Sequence, residues 1–251
     1  MSKVADILVG KVLEQLNNGI APWIKPWATS EPRNAVSNKV YSGINYLLLE
    51  HGNFMTFKQA KSLGAFVKKG AKGHQVAWYG DYTPKDEEKV IKILKFYYVF
   101  RVEDIEGLPE KYYNNVKQID FVPEEKAEQI IARLAPVVTG NEQRAYFRPS
   151  ANLINMPKPE SFKSVADYYY TFFHELIHWT KQNGMDRNLD YATEELVAEI
   201  GAAIVMNRLG FPPNEQNAAY CAHWAERIKD REVNLFKASS LAQKAAEFII
   251  G

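Results

Sequence analysis

The chain of 251 residues is long enough for one large or two small domains. Its net charge of +1 implies no global electrostatic partner, and its single cysteine, Cys221, excludes both a disulfide framework and a cysteine-based zinc site. No apolar run approaches the ~18 residues of a membrane span, and Met1 to Asp6 opens an amphipathic helix rather than a signal peptide, so a cytoplasmic protein without membrane association is expected.

From Ser2 to Asn18, Val4, Ile7, Leu8, Val12, Leu13 and Leu16 recur at helical spacing, and Gly19 offers a left-handed cap. Ala21 to Trp27 holds two prolines and two tryptophans, which predicts a stiff extended segment with at least one of Trp23 and Trp27 in the core. Pro32 to Lys39 reads as a polar loop, and Tyr41 to Leu49 turns into an apolar helix. Thr56 and Gly64 are fair caps for the helix between them. Ala65 to Tyr79 reads as strand, glycine turn, strand.

Between Thr56 and Gly80 stand Lys58, Lys61, Lys68, Lys69 and Lys72, with no acid. Phe57, Phe66, Trp78 and Tyr79 interleave with them. Lysines that track phosphates beside rings that stack on bases suit single-stranded nucleic acid. A solvated basic face over an aromatic core fits the same charges equally well. Asp81 to Lys92 reads as an exposed hairpin tip, and Ile93 to Val102 as a strand. Lys111 to Pro123 has the composition of a linker, placing a boundary near Asp120 and two domains at 1–120 and 121–251.

The second half begins with a helix from Glu124 to Ala135. Short strands follow at Val137-Val138, Arg144 to Phe147 and Leu153 to Met156, then a long aromatic helix from Tyr168 to Thr180. That helix contains His174-Glu175-Leu176-Ile177-His178, an H-E-x-x-H pattern. Residues four apart share a helix face, so His174 and His178 can hold one Zn²⁺, with Glu175 beside them as general base. Tyr191 to Leu209 reads as a second helix, with Ala198, Gly201 and Ala202 permitting close approach. Glu195 is assigned as the third ligand, with Glu194 its rival about 100° round the helix. Glu199 is expected behind the ring of His174. Tyr146, Tyr220 and His223 are candidates to stabilise an oxyanion, although each residue type more often serves packing. Helices from Glu215 to Lys229 and from Asn234 to Ile250 finish the chain. The expected class is α+β: an N-terminal α+β domain, then a short sheet with a histidine helix and a glutamate helix.

Ordered motifs over nearly the full length resemble the ArdC antirestriction family of mobile elements. They are Pro22 to Trp27, Arg33-Asn34-Ala35, Tyr41 to Asn45, Thr56 to Ala60 and Val67 to Gly73 in the first half. In the second half they are Ala145 to Ser150, the H-E-x-x-H helix ending in Trp179-Thr180, Glu194 to Ala202, Trp224 and Ala242 to Ala245. The resemblance implies an N-terminal single-stranded-DNA-binding domain joined to a C-terminal zincin-like metallopeptidase domain, and a role in protecting incoming DNA. It carries over His174, His178 and Glu195 as zinc ligands and Glu175 as base. It also adds Trp23, Lys25 and Arg33 to the lysines as DNA-contact candidates. Mn²⁺, Co²⁺ or Ni²⁺ can replace Zn²⁺ on such ligands. Two rival readings remain: a protease that cuts DNA-bound proteins, localised by its DNA-binding half, and a DNA-binding module braced by a structural metal. Oligomeric state is not legible in the sequence.

Overall fold

The computed structural model describes residues 3–18, 20–23, 31–49, 52–83, 90–113, 123–140, 142, 144–162, 164–211, 218–230 and 234–251. The chain folds as two compact units. One comprises Met1–Glu14 and Ser30–Lys117, the other Gln15–Thr29 and Gln118–Gly251. The expected boundary at 120/121 lies outside the described residues.

Helix α1 (Lys3–Asn17) follows the apolar period of the sequence and buries Leu8, Val12 and Leu16. In the first unit a four-stranded sheet runs β1 (Arg33–Asn34), β2 (Asn53–Thr56), β5 (Ile91–Arg101), β4 (His74–Tyr82) in spatial order. Short helices α2 (Ile44–Leu48) and α3 (Phe57–Ser62) flank it. Thr56 caps α3 in a reciprocal capping box: its hydroxyl accepts from Gln59 N–H, and its own N–H donates to Gln59 Oε1. Residues 65–79 form a strand, a glycine turn and a strand, as the sequence suggests, but the two strands do not pair with each other. Instead β3 (Phe66–Val67) pairs with β6 (Ile105–Glu106), while β4 pairs with β5 over nine residue pairs. The eleven β-forming residues of β5 give β4 a full-length partner that two-residue β3 lacks. The ladder runs out to the Tyr82–Ile91 pair, so the connecting segment is shorter than the sequence suggested.

In the second unit, α4 (Pro123–Leu134) leads into a small sheet ordered β7 (Val137–Thr139), β9 (Leu153–Asn155), β8 (Tyr146–Arg148). β7 is parallel and β8 antiparallel to β9. Helix α5 (Val165–Thr180) starts at a Ser164 cap, and α6 (Tyr191–Leu209) at an Asp190 cap that accepts from Thr193 N–H at 2.9 Å. Gly210, at φ 80°, closes α6 in the left-handed conformation. α7 (Ala218–Lys229) and α8 (Leu235–Ile250) complete the unit. α6 is apolar on nearly every side because it packs against both α5 and α8. Its contact with α5 is close. A Cβ on Gly201 would stand 2.6 Å from Cδ1 of the fully buried Ile177. That approach fixes the separation of the two helices that carry the site.

Candidate metal centre

His174 and His178 project from successive turns of α5, with ring centroids 5.0 Å apart and planes at 79°. Glu195 reaches them from the first turns of α6. Its Oε2 lies 3.7 Å from His174 Nε2 and its Oε1 3.6 Å from His178 Nε2. One donor atom from each of the three residues falls within 4.8 Å of the others. Donors at about 2.0–2.1 Å from a tetrahedral ion stand roughly 3.3–3.4 Å apart. Two imidazole nitrogens and a carboxylate at these separations therefore suit a divalent cation.

The far side of each ring is also occupied. His178 Nδ1 lies 3.1 Å from Glu194 Oε1. Arg187, buried in the loop between α5 and α6, grips that carboxylate at both oxygens. Its Nε donates to Oε2 at 2.9 Å and its Nη2 to Oε1 at 2.8 Å. The guanidinium also donates to the Thr180 hydroxyl at 2.9 Å and the Ile177 carbonyl at 2.8 Å, near the end of α5. Glu194, the rival ligand, is thus turned to the back of His178 and not to the ion's position. Glu199 stands where it was expected, 3.9 Å from His174 Nδ1, an ion-pair distance rather than a hydrogen bond. The Tyr170 hydroxyl donates to its other oxygen at 2.6 Å. Sequence reasoning missed Arg187, the role of Glu194, and Tyr191, which lines the cleft one turn before Glu195 on α6 and helps hold that carboxyl below its ordinary pKa. The available signals were an arginine between two ligand-bearing helices and an adjacent glutamate pair.

Glu175 is buried, and its Oε2 accepts from Phe147 N–H on β8 at 2.8 Å. Burial raises its pKa above the ordinary value, against the pull of both histidines and the Phe147 hydrogen bond. Burial also works to lower the pKa of His174. The Glu195 carboxylate 3.7 Å from its Nε2 and the charges of Glu199 and Glu175 outweigh it, leaving His174 raised. Burial works to raise Glu194 and Glu195, yet both end lowered: Glu194 by its bonds to His178 and Arg187, Glu195 by the two imidazoles within 3.7 Å of its oxygens.

A cleft of about 500 Å³ opens over His174, Glu175, His178 and Glu195, walled by Tyr146 and Phe147 of β8 and by Tyr191. Tyr146 thus reaches the cleft, with its hydroxyl donating to Glu142 at 2.9 Å and accepting from Arg148 at 2.6 Å. His223 does not line the cleft; it packs edge-on against Trp224 and lies 3.5 Å from Arg227. The Tyr220 side chain and Lys25 lie outside the described residues. Of the DNA-contact candidates, Lys58, Lys61, Lys68, Lys69 and Lys72 are exposed, and Lys68 Nζ donates to the Glu103 carbonyl at 2.9 Å. Arg33 is half-buried and engaged with Glu31 and the Asn38 carbonyl. Trp23 is 0% exposed and belongs to the second unit, so it is a core residue whose ring offers no face to a base. Among the described residues no helix is long and apolar enough to cross a membrane.

Comparison with known proteins gives a consistent picture. Residues 2–103 match the family described as the N-terminal domain of anti-restriction factor ArdC, and residues 125–241 match the zincin-like metallopeptidase family. The chain is 32% identical to two Escherichia coli proteins named DNA primase TraC, covering 96% and 98% of this chain. It spans only 26% and 20% of their lengths. An uncharacterised Sinorhizobium fredii protein, y4eC, is 25% identical over 96% of this chain and 90% of its own. Among solved structures, the metal-free antirestriction protein ArdC of plasmid R388 is 33% identical, with a TM-score of 0.81 over 99% of this chain and 97% of that one. Its Mn(II)-bound form gives 34% and 0.79 over the same shares. With both halves matched in order and a full-length relative of this similarity, the chain belongs to the ArdC antirestriction protein family, an ArdC-type N-terminal domain joined to a zincin-like metallopeptidase domain.

Proposed function

We propose that this protein protects incoming DNA against restriction, binding it single-stranded through residues 1–120, and that residues 121–251 carry a metallopeptidase-type centre. It acts in the cytoplasm in this reading. The observation that carries the second half is the convergence of His174, His178 and Glu195, with a carboxylate behind each ring. His174 and His178 hold a divalent cation through Nε2, and Glu195 through a carboxylate oxygen. Zn²⁺ is the first choice for these donors, and Mn²⁺, Co²⁺ and Ni²⁺ suit them as well. The Mn(II)-bound form of the R388 protein supports that breadth.

When bound, such an ion supplies Lewis-acid chemistry, polarising a carbonyl and acidifying water. The rest falls to the chain's own groups. Glu194, hydrogen-bonded to His178, keeps a proton on that ring's Nδ1 and leaves Nε2 free to ligate, and the charge of Glu199 at 3.9 Å favours the same tautomer of His174. Glu175 takes a proton from the attacking water and hands it to the leaving amine. The Phe147 N–H fixes one oxygen of that carboxylate beside the two rings, within reach of the water's position. Tyr191 and Tyr146 wall the cleft, and a hydroxyl released from its present carboxylate neighbour is what either would bring to a developing oxyanion. The exposed lysines of the first unit and the relatives named for DNA work support the nucleic-acid half.

A second reading, a protease that cuts DNA-bound proteins, is favoured by the open cleft beside Glu175, since a purely structural metal site is closed on all sides. Single-turnover cleavage of DNA-bound proteins by the wild type and Glu175→Gln separates the two. Glu175→Gln is expected to keep its metal and lose cleavage by a factor on the order of 10²–10⁴. If DNA protection survives that substitution, peptide hydrolysis is not how the protein protects. If the wild type binds no single-stranded DNA, the first half of the proposal falls.

A further inference from the structure

Strands β4 and β5 continue as a two-stranded ribbon past the end of β2, which pairs only with Val99 to Arg101 of β5. The register is unbroken, so side chains opposite one another share a face. One face carries His74, Val76, Trp78 and Tyr82 with Val99, Tyr97 and Lys95. Its inner end, Val76 and Val99, is buried with Tyr41, Leu49 and Phe54. The other face carries Gln75, Ala77 and Tyr79 opposite Tyr98, Phe96 and Leu94. At its inner end Phe100 packs on Met55, Ala60 and Ala65, so α3 and its flanks cover it there. Beyond that point three rings stand uncovered: Tyr98 (49% exposed), Phe96 (38%) and Tyr79 (66%).

We propose that Tyr79, Phe96 and Tyr98 form the platform on which bases of a single strand stack. The inference rests on the single-strand reading above and adds the surface that does the binding. Large rings left in water as a group mark an interaction surface. Phe96 and Tyr98 already meet edge-to-face, with centroids 6.2 Å apart and planes at 90°. Ala77, opposite Phe96, adds no bulk between the rings of β5 and Tyr79. The surroundings choose the occupant. Protein interfaces are depleted in lysine, whereas here Lys58 and Lys61 are exposed on α3, the helix that covers the inner end of this face. Lys92 lies over the Tyr79 ring at 5.8 Å and pairs with Asp81 at 3.0 Å, cancelling the carboxylate on this face. Rings for bases on a unit that also exposes lysines for phosphates fit a single strand, and a sheet face bearing aromatic side chains is a recurrent way to stack two or three bases.

The test is fluorescence anisotropy of a 5′-fluorescein-labelled dT20 titrated with full-length protein across a salt series. A Phe96→Ala, Tyr98→Ala variant is expected to raise Kd at least tenfold, since base–aromatic stacking is lost at two rings. The slope of log Kd against log salt stays unchanged, because no phosphate contact is removed. A Phe96→Leu, Tyr98→Leu variant keeps the apolar area without the ring faces, guards against misfolding, and is expected to lose binding similarly; circular dichroism melts check both folds. Wild type and Leu variant binding dT20 within twofold of each other overturns the platform and leaves the single-strand reading standing. A wild type that does not bind dT20 overturns both. A wild-type dimer that either variant splits into monomers, seen by sedimentation, overturns the platform in favour of a second copy of the chain.

Discussion

Arg187 is the residue on which the greatest number of site features converge. It neutralises Glu194, which orients His178, and it ties the loop before α6 to the end of α5. Arg187→Met keeps the side-chain bulk and strands the Glu194 carboxylate without its ion. Removing one partner of a buried pair costs about 3–5 kcal/mol, which urea denaturation of the metal-free protein reads directly. Metal affinity is expected to fall a further ~10–100-fold, the usual effect of losing a group that orients a ligand. Acid–base behaviour belongs to this scale too. The pKa of His174 is raised above its ordinary 6.5 in the metal-free fold, so its stabilising contribution is full below that value and fades as pH rises through the raised one. Glu194 and Glu195 have the opposite sign: lowered from 4.5, they stabilise above that value and lose their effect as pH falls through their folded pKa values. Metal must displace the His174 proton, so affinity is expected to go on climbing with pH above 6.5, with proton release visible by calorimetry in buffers of different ionisation enthalpy. A flat affinity above 6.5 would show that Glu195 does not hold that proton.

At the scale of elements, the site is a matter of how closely α5 and α6 pack, and Gly201 sets that distance. Gly201→Ala gains about 1 kcal/mol of helix propensity and incurs about 1–3 kcal/mol of overpacking against buried Ile177. The net loss of stability is therefore about 0–2 kcal/mol, whereas the spacing of Glu195 from the two rings changes directly. A tenfold loss in metal affinity with a melting temperature within a few degrees of wild type is the expected pair of results. The same two helices show what the sequence could reveal. His174, Glu175 and His178 were legible because helical spacing is local, and Ala198, Gly201 and Ala202 announced a close contact. Arg187 was not legible, because its worth depends on burial and on a carboxylate seven residues away. Nor was the partner of β4, because strand pairing is decided by residues distant in the chain. Trp23 shows the converse error. The proline-bounded segment suggested that Trp23 or Trp27 fills the core, a motif resemblance suggested a DNA contact for Trp23, and burial places that ring in the core.

At the scale of the molecule, no sheet is shared between the two units, and the two family models match in turn along the chain, with Gln15–Thr29 of the first matched stretch belonging to the second unit. The second unit supports its three donors through its own packing and hydrogen bonds: Tyr170 holds Glu199 behind His174, and Arg187 holds Glu194 behind His178. Dialysis against a chelator is accordingly expected to remove metal without loss of far-ultraviolet circular dichroism, and re-addition to restore the melting temperature by simple mass action. Collapse of the helical signal on chelation would contradict this. A socket that keeps its shape while empty does not select its occupant by refolding around it. Which cation a given molecule carries then follows the supply at the moment of loading, and preparations from differently stocked media should yield the same fold with different ions.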